Sequence, residues 1–315
     1  MNQTTTPILD IERFHLFDNL EILAKQVVEG FITGLHRSPY HGFSVEFAEH
    51  RLYNKGESTR HIDWKLYART DKLFVKRYEE ETNLRTQIVI DASSSMLFPY
   101  GKKLNKLEFS ALMGAALTYL LKRQRDAIGL SIFAEELQEH LPARLSAQHI
   151  QLLYSKFAQL AQTGKSGKNP ADLNRRNATP AVLHQIAENI HQRSLVILFT
   201  DLFDSDSSDE FFAALQHLKY NKHEVIVFHV TDRPHEIDLA YSARPTKFVD
   251  METGEVLKLT PSQIQERYRA LVTAHFGEIK LKCIQFGIDF YEADITALSF
   301  DQVLQAYLIK RNKLF

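Results

Sequence analysis

One acidic residue and three hydroxyl groups follow each other in the segment Asp91-Ala92-Ser93-Ser94-Ser95. In an extended or tightly turned segment alternate side chains point the same way, so this spacing brings Asp91, Ser93 and Ser95 toward one point. Carboxylate and hydroxyl oxygens suit hard cations such as Mg²⁺ or Mn²⁺, whereas nitrogen and sulfur suit zinc and copper. The segment therefore indicates a site for a hard divalent cation. Because few carboxylates surround it, the ion would keep positive charge and could attract a carboxylate from another molecule.

The same hydroxyl groups also have a purely structural interpretation. Serine and aspartate commonly cap helices and bond to turn amides, so Ser93 and Ser95 could simply open the next helix. Thr179 has the same two interpretations, because Pro180 is typical of a first helical turn. Thr179 could cap that helix or offer its hydroxyl to the cation, and the residues alone leave both open.

Two apolar runs must position the acids. Asp91 closes the run that begins at Gln87, and Asp201 closes the run that begins at Ser194. Continuous apolar runs of this length are typical of strands buried on both faces of a parallel sheet. Open α/β sheets bind ligands at the carboxyl ends of their strands. We therefore expect Asp91 and Asp201 at the same edge of one sheet.

Strands and helices alternate from residue 84 onward, which predicts a three-layer α/β fold with a doubly wound, mostly parallel sheet. Strands are predicted at Thr86–Asp91, Ala127–Phe133, Leu195–Asp201, Glu224–Val230 and Ile288–Glu292. Helices are predicted at Lys106–Arg123, Ala147–Gln162, Thr179–His191, Asp209–Lys219, Pro261–Phe276 and Ser299–Lys310, and a hairpin at Phe248–Leu257. A helical stripe from Asp18 to Leu35 and an irregular segment precede this region. We therefore divide the chain into an N-terminal helical and irregular extension, residues 1–83, and an α/β domain, residues 84–315.

Composition narrows the class of protein. A chain of 315 residues with 44% hydrophobic content can bury one large core or a core plus a smaller unit. A net charge of -1 argues against nucleic-acid binding driven by bulk charge. The single cysteine, Cys283, cannot form an intrachain disulfide, and the first residues do not resemble a signal peptide. The longest apolar stretch, Ala111–Leu121, is roughly half of the ~20 residues that span a bilayer. We expect a cytoplasmic protein without a transmembrane segment.

Motifs for catalysis are incomplete. Gly164-Lys165-Ser166 lacks the earlier glycine of a phosphate-binding loop, because position 159 is glutamine. Asp91 as a phosphatase nucleophile would need a second acid where Ser93 stands, and no Gly-x-Ser-x-Gly elbow surrounds the serines. His184 and His191 could share one helical face, and we interpret them as structural histidines. A hydrolase that uses the cation to activate water stays open as an alternative.

The order of these motifs resembles a known metal site. D-x-S-x-S, then a threonine, then an aspartate after an apolar strand is similar to the metal-ion-dependent adhesion site of von Willebrand factor A domains. In that family the hydroxyls bind the ion directly, the acids act directly or through water, and a partner's carboxylate takes the sixth position. The resemblance assigns the ligands to Asp91, Ser93, Ser95, Thr179 and Asp201.

The threonine is the point at which the chain departs from the pattern of the proteins that it resembles. Many of those proteins carry two glycines before this threonine, whereas the present chain has Asn177 and Ala178. Thr163, in Gln162-Thr163-Gly164, is therefore the alternative threonine ligand.

The segment before the first motif resembles the bacterial family called domain of unknown function 58, which carries a von Willebrand A-like domain directly behind this signature. The matching residues are Ser38-Pro39-Tyr40-His41-Gly42-Phe43-Ser44-Val45-Glu46-Phe47, Arg51-Leu52-Tyr53, Gly56-Glu57, Arg60-His61-Ile62-Asp63-Trp64 and Ala68-Arg69. The resemblance implies an adaptor that binds proteins through Mg²⁺ or Mn²⁺ and works with a separate MoxR-type AAA+ ATPase in a chaperone-like assembly. The alternatives are the metal-assisted hydrolase and a structural scaffold whose site stays empty in the cell.

Overall fold

The structure is a computed structural model and describes residues 20–36, 50–52, 64–76, 84–101, 104–163, 179–202, 208–250, 254–297 and 300–314. The chain divides into two compact units, residues 32–83 and residues 1–31 with 84–315. In the smaller unit β1 (His50–Leu52) pairs antiparallel with β2 (Phe74–Lys76), and α2 (Trp64–Thr70) lies between them in the chain. Most of the segment that resembles the family signature, including residues 37–49 and 53–63, lies outside the described residues.

The larger unit is built on a mostly parallel sheet. Its strands are β3 (Arg85–Asp91), β4 (Ala127–Phe133), β5 (Leu137–Arg144), β6 (Leu195–Thr200), β7 (Glu224–Thr231) and β10 (Asp289–Asp294). Their order across the sheet is β10, β7, β6, β3, β4, β5, and each neighbouring pair is parallel except β4 with β5. The prediction of an α/β fold with a mostly parallel sheet is confirmed.

Helices flank this sheet. They are α3 (Lys106–Arg123), α4 (Ala147–Thr163), α5 (Thr179–Asn189), α6 (Ser208–Tyr220), α7 (Pro261–Gln285) and α8 (Phe300–Leu314), and α1 (Leu20–His36) is joined to α3 by the pair of Lys122 with Glu21. Side chains of α5, α6 and α7 form one core cluster with Val89, Val196 and Val227 of the sheet. On the other face α3 packs against the sheet and α8, where the rings of Phe109 and Phe300 stack 5.3 Å apart. No helix among the described residues is both long and apolar enough to cross a bilayer.

Helix α3 is buried along nearly its whole length, which is typical of a helix that is apolar on all sides. A capping box fixes its start: the Asn105 side chain accepts from the Glu108 amide, and the Glu108 carboxylate accepts from the Asn105 amide. A Cβ atom at Gly114 would lie 2.5 Å from the ring of Phe157, so glycine lets α4 approach closely. The helix therefore starts at a defined residue, Lys106, beside the carboxyl ends of the strands.

Several boundaries differ from those predicted. Strand β5 was absent from the prediction, because its outward face carries polar residues at an exposed edge and its apolar pattern is weak. The predicted end of α7 at Phe276 is wrong, since the helix continues through Gly277 to Gln285. The glycine that ends it is Gly287, which has φ +66 and occupies the left-handed conformation after the last turn. The hairpin is confirmed as β8 (Thr246–Val249) paired with β9 (Val256–Leu259).

Candidate metal centre

The sheet order creates a crevice where the predicted acids lie. From β3 the chain continues to β4 on one side, while β6 pairs with the opposite side of β3, so the connections diverge at this point. Ligands of open α/β sheets bind at such a switch point, outside the carboxyl ends of the strands. Asp91 is the last residue of β3, and Asp201 directly follows β6. Both side chains are fully buried.

The loop after β3 brings its hydroxyls together. The Ser93 amide donates to Asp91 Oδ1 at 2.9 Å, and Oγ of Ser93 lies 3.0 Å from Oγ of Ser95. Oxygen ligands at about 2.1 Å on adjacent corners of an octahedron lie about 3.0 Å apart. The distance between the two hydroxyls therefore suits neighbouring ligands of one Mg²⁺ ion.

Asp201 presents one engaged and one available oxygen. Its Oδ2 accepts from Lys106 Nζ at 2.8 Å, whereas its Oδ1 is buried and accepts no hydrogen bond within the described residues. Burial raises the pKa of Asp201, but the Lys106 ammonium, with help from the Ser95 hydroxyl, outweighs burial and holds the pKa below its usual range. Asp201 is therefore an ionised carboxylate near the Ser95 hydroxyl, and its Oδ1 accepts no hydrogen bond of normal length from the described residues.

Asp91 carries the opposite shift. Burial raises the pKa of Asp91 to about 6, and the negative charge of Asp201 acts in the same direction. Two buried carboxylates that repel each other are stabilised by a shared cation. The unsatisfied oxygen of Asp201, the raised pKa of Asp91 and the spacing of the hydroxyls together fit a hard divalent ion.

Two side chains that the sequence did not indicate complete the surroundings. The Thr200 hydroxyl donates to Asp91 Oδ2 at 2.7 Å. Lys106, fully buried at the start of α3, donates to both Asp201 and Glu236. Burial lowers the pKa of Lys106, but the two carboxylates outweigh burial and raise the pKa above its usual value. The only sequence signal for Lys106 is a charged residue at the start of an otherwise apolar helix.

The threonine ligand is the part of the predicted site that the structure leaves open. Thr179 is the first residue of α5, and the placement of its side chain lies outside what the structure describes. The hydroxyl of the alternative, Thr163, donates to the Gln159 carbonyl within α4. No three His, Cys, Asp or Glu side chains in the described ranges form a metal-binding group.

His229 lies beside this centre, where the charges of Asp201 and Lys106 act on it in opposite directions. It is paired in register with Thr200, and its ring centroid lies 4.0 Å from that of Phe276 and 5.8 Å from that of Phe290. Both ring nitrogens are buried and accept or donate no hydrogen bond among the described residues. Burial lowers the pKa of His229 to about 3. Burial therefore keeps the imidazole neutral, although the neighbouring Asp201 carboxylate acts in the opposite direction.

Replacing the His229 ring should change how the free energy of unfolding depends on pH in the acidic range. The unfolded chain protonates His229 near pH 6.5, whereas the folded chain does so only near pH 3, so its contribution to stability is lost as the pH falls between these values. At pH 7.5 we expect His229→Phe to have nearly the same free energy of unfolding as the wild type. Below pH 6.5 the variant should become more stable than the wild type, by up to about 1.4 kcal/mol for each pH unit. Urea unfolding at pH 7.5, 6.5 and 5.5 checks this, and equal slopes for the two proteins would contradict it.

Comparison with family models identifies the family of this chain. The model of a family described as "Protein of unknown function DUF58" matches residues 49–277. Similar curated proteins are Uncharacterized protein Rv1480 of Mycobacterium tuberculosis and Uncharacterized protein Mb1516 of Mycobacterium bovis. Each is 23% identical over 261 residues, which covers 82% of this chain and 78% of the relative.

Two solved structures also show similarity. The crystal structure of conserved hypothetical protein BatB from Bacteroides thetaiotaomicron is 15% identical, with a TM-score of 0.39, and the match covers 71% of this chain and 98% of that chain. An uncharacterized membrane spanning protein from Vibrio fischeri is 11% identical, with a TM-score of 0.19, and covers 72% and 97% of the two chains.

Proposed function

We propose that this chain, which belongs to the DUF58 family of proteins of unknown function, is a cation-dependent protein-binding adaptor with a von Willebrand A-like domain. The observation that carries the proposal is that the hydroxyls of Ser93 and Ser95 lie 3.0 Å apart at the switch point of the sheet, where the Ser95 hydroxyl also lowers the pKa of Asp201. Mg²⁺, or Mn²⁺, is the ion that suits these oxygens. The ligand set is Asp91, Ser93, Ser95 and Asp201, with Thr179 as the remaining hydroxyl.

The charges around the centre favour binding. Lys106 neutralises one of the two carboxylates it contacts, and it holds Asp201 so that Oδ1 is left for another partner. Asp91 accepts from the Ser93 amide, which fixes the hydroxyl-bearing loop, and from the Thr200 hydroxyl, which joins the ends of β3 and β6. When bound between two neutral hydroxyls and few carboxylates, a hard cation supplies a positive centre that accepts a partner's carboxylate.

The partner class comes from the family resemblance. Relatives with this signature are associated with MoxR-type AAA+ ATPases, and we propose such an ATPase as the cytoplasmic partner in a chaperone-like assembly. The ATPase would be a separate polypeptide, since the Gly164-Lys165-Ser166 segment lacks the glycine that a phosphate-binding loop requires. An acidic side chain of that assembly would complete the ion's coordination.

A specific contact favours the metal-assisted hydrolase as the second candidate. His235 Nδ1 lies 2.6 Å from Asp232 Oδ1, and the adjacent residue, Glu236, contacts Lys106. A buried aspartate that holds Nδ1 of a histidine orients the other ring nitrogen as a proton acceptor, which is the general base that the sequence motifs lacked.

One set of variants tests the proposal. We expect the immobilised full-length chain to capture an AAA+ ATPase, identified by mass spectrometry, from the native cytoplasm in Mg²⁺ and to release it in EDTA. Ser93→Ala should abolish capture, because it removes one of the paired hydroxyls. Ser94→Ala is the matched control, since this serine of the same turn lies outside the D-x-S-x-S positions.

Three outcomes would contradict the adaptor. Capture that is unchanged in EDTA would support a scaffold. If Ser93→Ala captures the ATPase as the wild type does, the hydroxyl pair is not part of the binding site. Turnover of generic phosphoesters that Asp91→Ala and His235→Ala both abolish would support the hydrolase.

A further inference from the structure

Two histidines meet on neighbouring helices, and the proposed function uses neither. His184 lies on α5 and His217 on α6, and their Nδ1 atoms are 3.0 Å apart. The ring centroids are 5.2 Å apart and the ring planes make an angle of 40°. Both side chains are partly buried, so solvent reaches the pair.

The helices that carry the pair are fixed against each other. Leu183 precedes His184 and Leu218 follows His217, and both leucines are fully buried in the core cluster between the helices and the sheet. The backbones on either side of the pair therefore cannot separate without exposing this cluster. The two backbones are thus held close before any ligand binds, and only the two imidazole rings have to turn toward an ion, which lowers the entropic cost of binding.

The spacing is that of two ligands of one metal ion. Imidazole nitrogens bind transition metals at about 2.0–2.1 Å, so two of them at right angles lie about 3.0 Å apart, whereas tetrahedral ligands lie about 3.4 Å apart. Right-angled nitrogen ligands are typical of Cu²⁺ and Ni²⁺. We propose that His184 and His217 chelate a divalent transition-metal ion of this kind, at a second site that differs chemically from the hard-cation site.

The protonation of the pair is consistent with chelation. Without an ion, the Nδ1–H of one imidazole donates to Nδ1 of the other. In the chelate both Nδ1 lone pairs face the metal, so this proton leaves for solvent and the same ring takes a proton on Nε2. Both rings stay neutral and no net proton is released. As no third His, Cys, Asp or Glu in the described segments completes the group, water fills the remaining positions.

The chelate would act on the helices that follow the hard-cation site. Helix α5 begins at Thr179, and α6 begins at Ser208, a few residues after Asp201. An ion that joins α5 to α6 would fasten together the two helices that follow the threonine and aspartate segments. The inference does not depend on the proposed function, because the two sites use different ligands and different ions.

The untagged full-length chain, held in excess Mg²⁺ so that hard-cation sites are saturated, is titrated with Cu²⁺ and with Ni²⁺ by calorimetry. We expect one site, tighter for Cu²⁺ than for Ni²⁺, with an electron paramagnetic resonance spectrum of Cu²⁺ that shows two coordinated nitrogens. His184→Ala and His217→Ala should each weaken that site at least about 30-fold, within the range typical for loss of a metal's supporting groups.

His191→Ala is the matched control, because this exposed histidine follows α5 and its Nδ1 bonds to the Gln192 carbonyl instead. The affinity of His191→Ala for Cu²⁺ and for Ni²⁺ should equal that of the wild type. Equal affinity of the wild type and the double variant His184→Ala/His217→Ala would overturn the proposal, and so would a spectrum that His191→Ala alone alters. Those results would leave an ordinary hydrogen bond between the two rings.

Discussion

Lys106→Met is expected to lower the free energy of unfolding by about 3–5 kcal/mol at pH 7, the usual cost of removing one partner from a buried ion pair. The lysine side chain is fully buried, and its ammonium is the cation that Asp201 and Glu236 share. Methionine fills a similar volume, so the loss measures the uncompensated carboxylates rather than a cavity. The deficit should shrink as the pH falls, because the two buried carboxyls can then take up protons.

Urea unfolding of Lys106→Met and of Lys122→Met measures this effect. Lys122 lies on the same helix and pairs with Glu21 at 2.9 Å, but both side chains of this pair are well exposed to solvent. An exposed pair contributes about 0–1 kcal/mol, so the control should lose little. A loss below about 1 kcal/mol in Lys106→Met, equal to that of Lys122→Met, would show that the buried lysine is not the counter-ion described above.

The parts of the fold that sequence could predict are those whose signal is local. The apolar runs that end at Asp91 and Asp201 identified β3 and β6, because strands buried on both faces need continuous apolar residues. Strand β5 could not be found this way, since an edge strand that is half exposed needs no such run. The end of α7 depended on which of two glycines adopts a positive φ, which the sequence does not specify.

The residues of the candidate site also fall into those that a local sequence signal predicts and those that it does not. Spacing within one turn placed Ser93 beside Ser95, and the rule for parallel sheets placed Asp91 at the same edge as Asp201. Lys106 could not be predicted, because its role requires Asp201, 95 positions later, and Glu236, 130 positions later, to meet it in space. A pattern of single residues carries no information about such a meeting.

Lys106 also explains how two acids can approach each other in the free protein. Asp201 stays ionised because the Lys106 ammonium contacts its Oδ2. The pKa of Asp91 is raised instead, to about 6, by burial and by the negative charge of Asp201. An internal cation thus balances one side of Asp201, while the other side keeps an unsatisfied oxygen. In our proposal a bound cation supplies a second positive charge at this oxygen, Oδ1.

Asp201→Asn should consequently weaken Mg²⁺ binding by at least about 100-fold, since even the outer partners of metal ligands are typically worth 10–100-fold. Asparagine keeps the size of the side chain but removes the charge. Asp209→Asn is the matched control, because this aspartate at the start of α6 is almost fully exposed and bonds only to Lys282 among the contacts described. Its affinity for Mg²⁺ should be unchanged.

Calorimetry with Mg²⁺ measures both variants, and near-ultraviolet circular dichroism checks that each is folded. Because Asp201→Asn also weakens the contact to Lys106, Ser95→Ala provides a second variant that leaves this ion pair in place. We expect Ser95→Ala to lose about tenfold in affinity, which corresponds to about 1.4 kcal/mol. If folded Asp201→Asn and Ser95→Ala both bind Mg²⁺ as the wild type does, the carboxylate and hydroxyls do not hold the ion, and the adaptor would need another site.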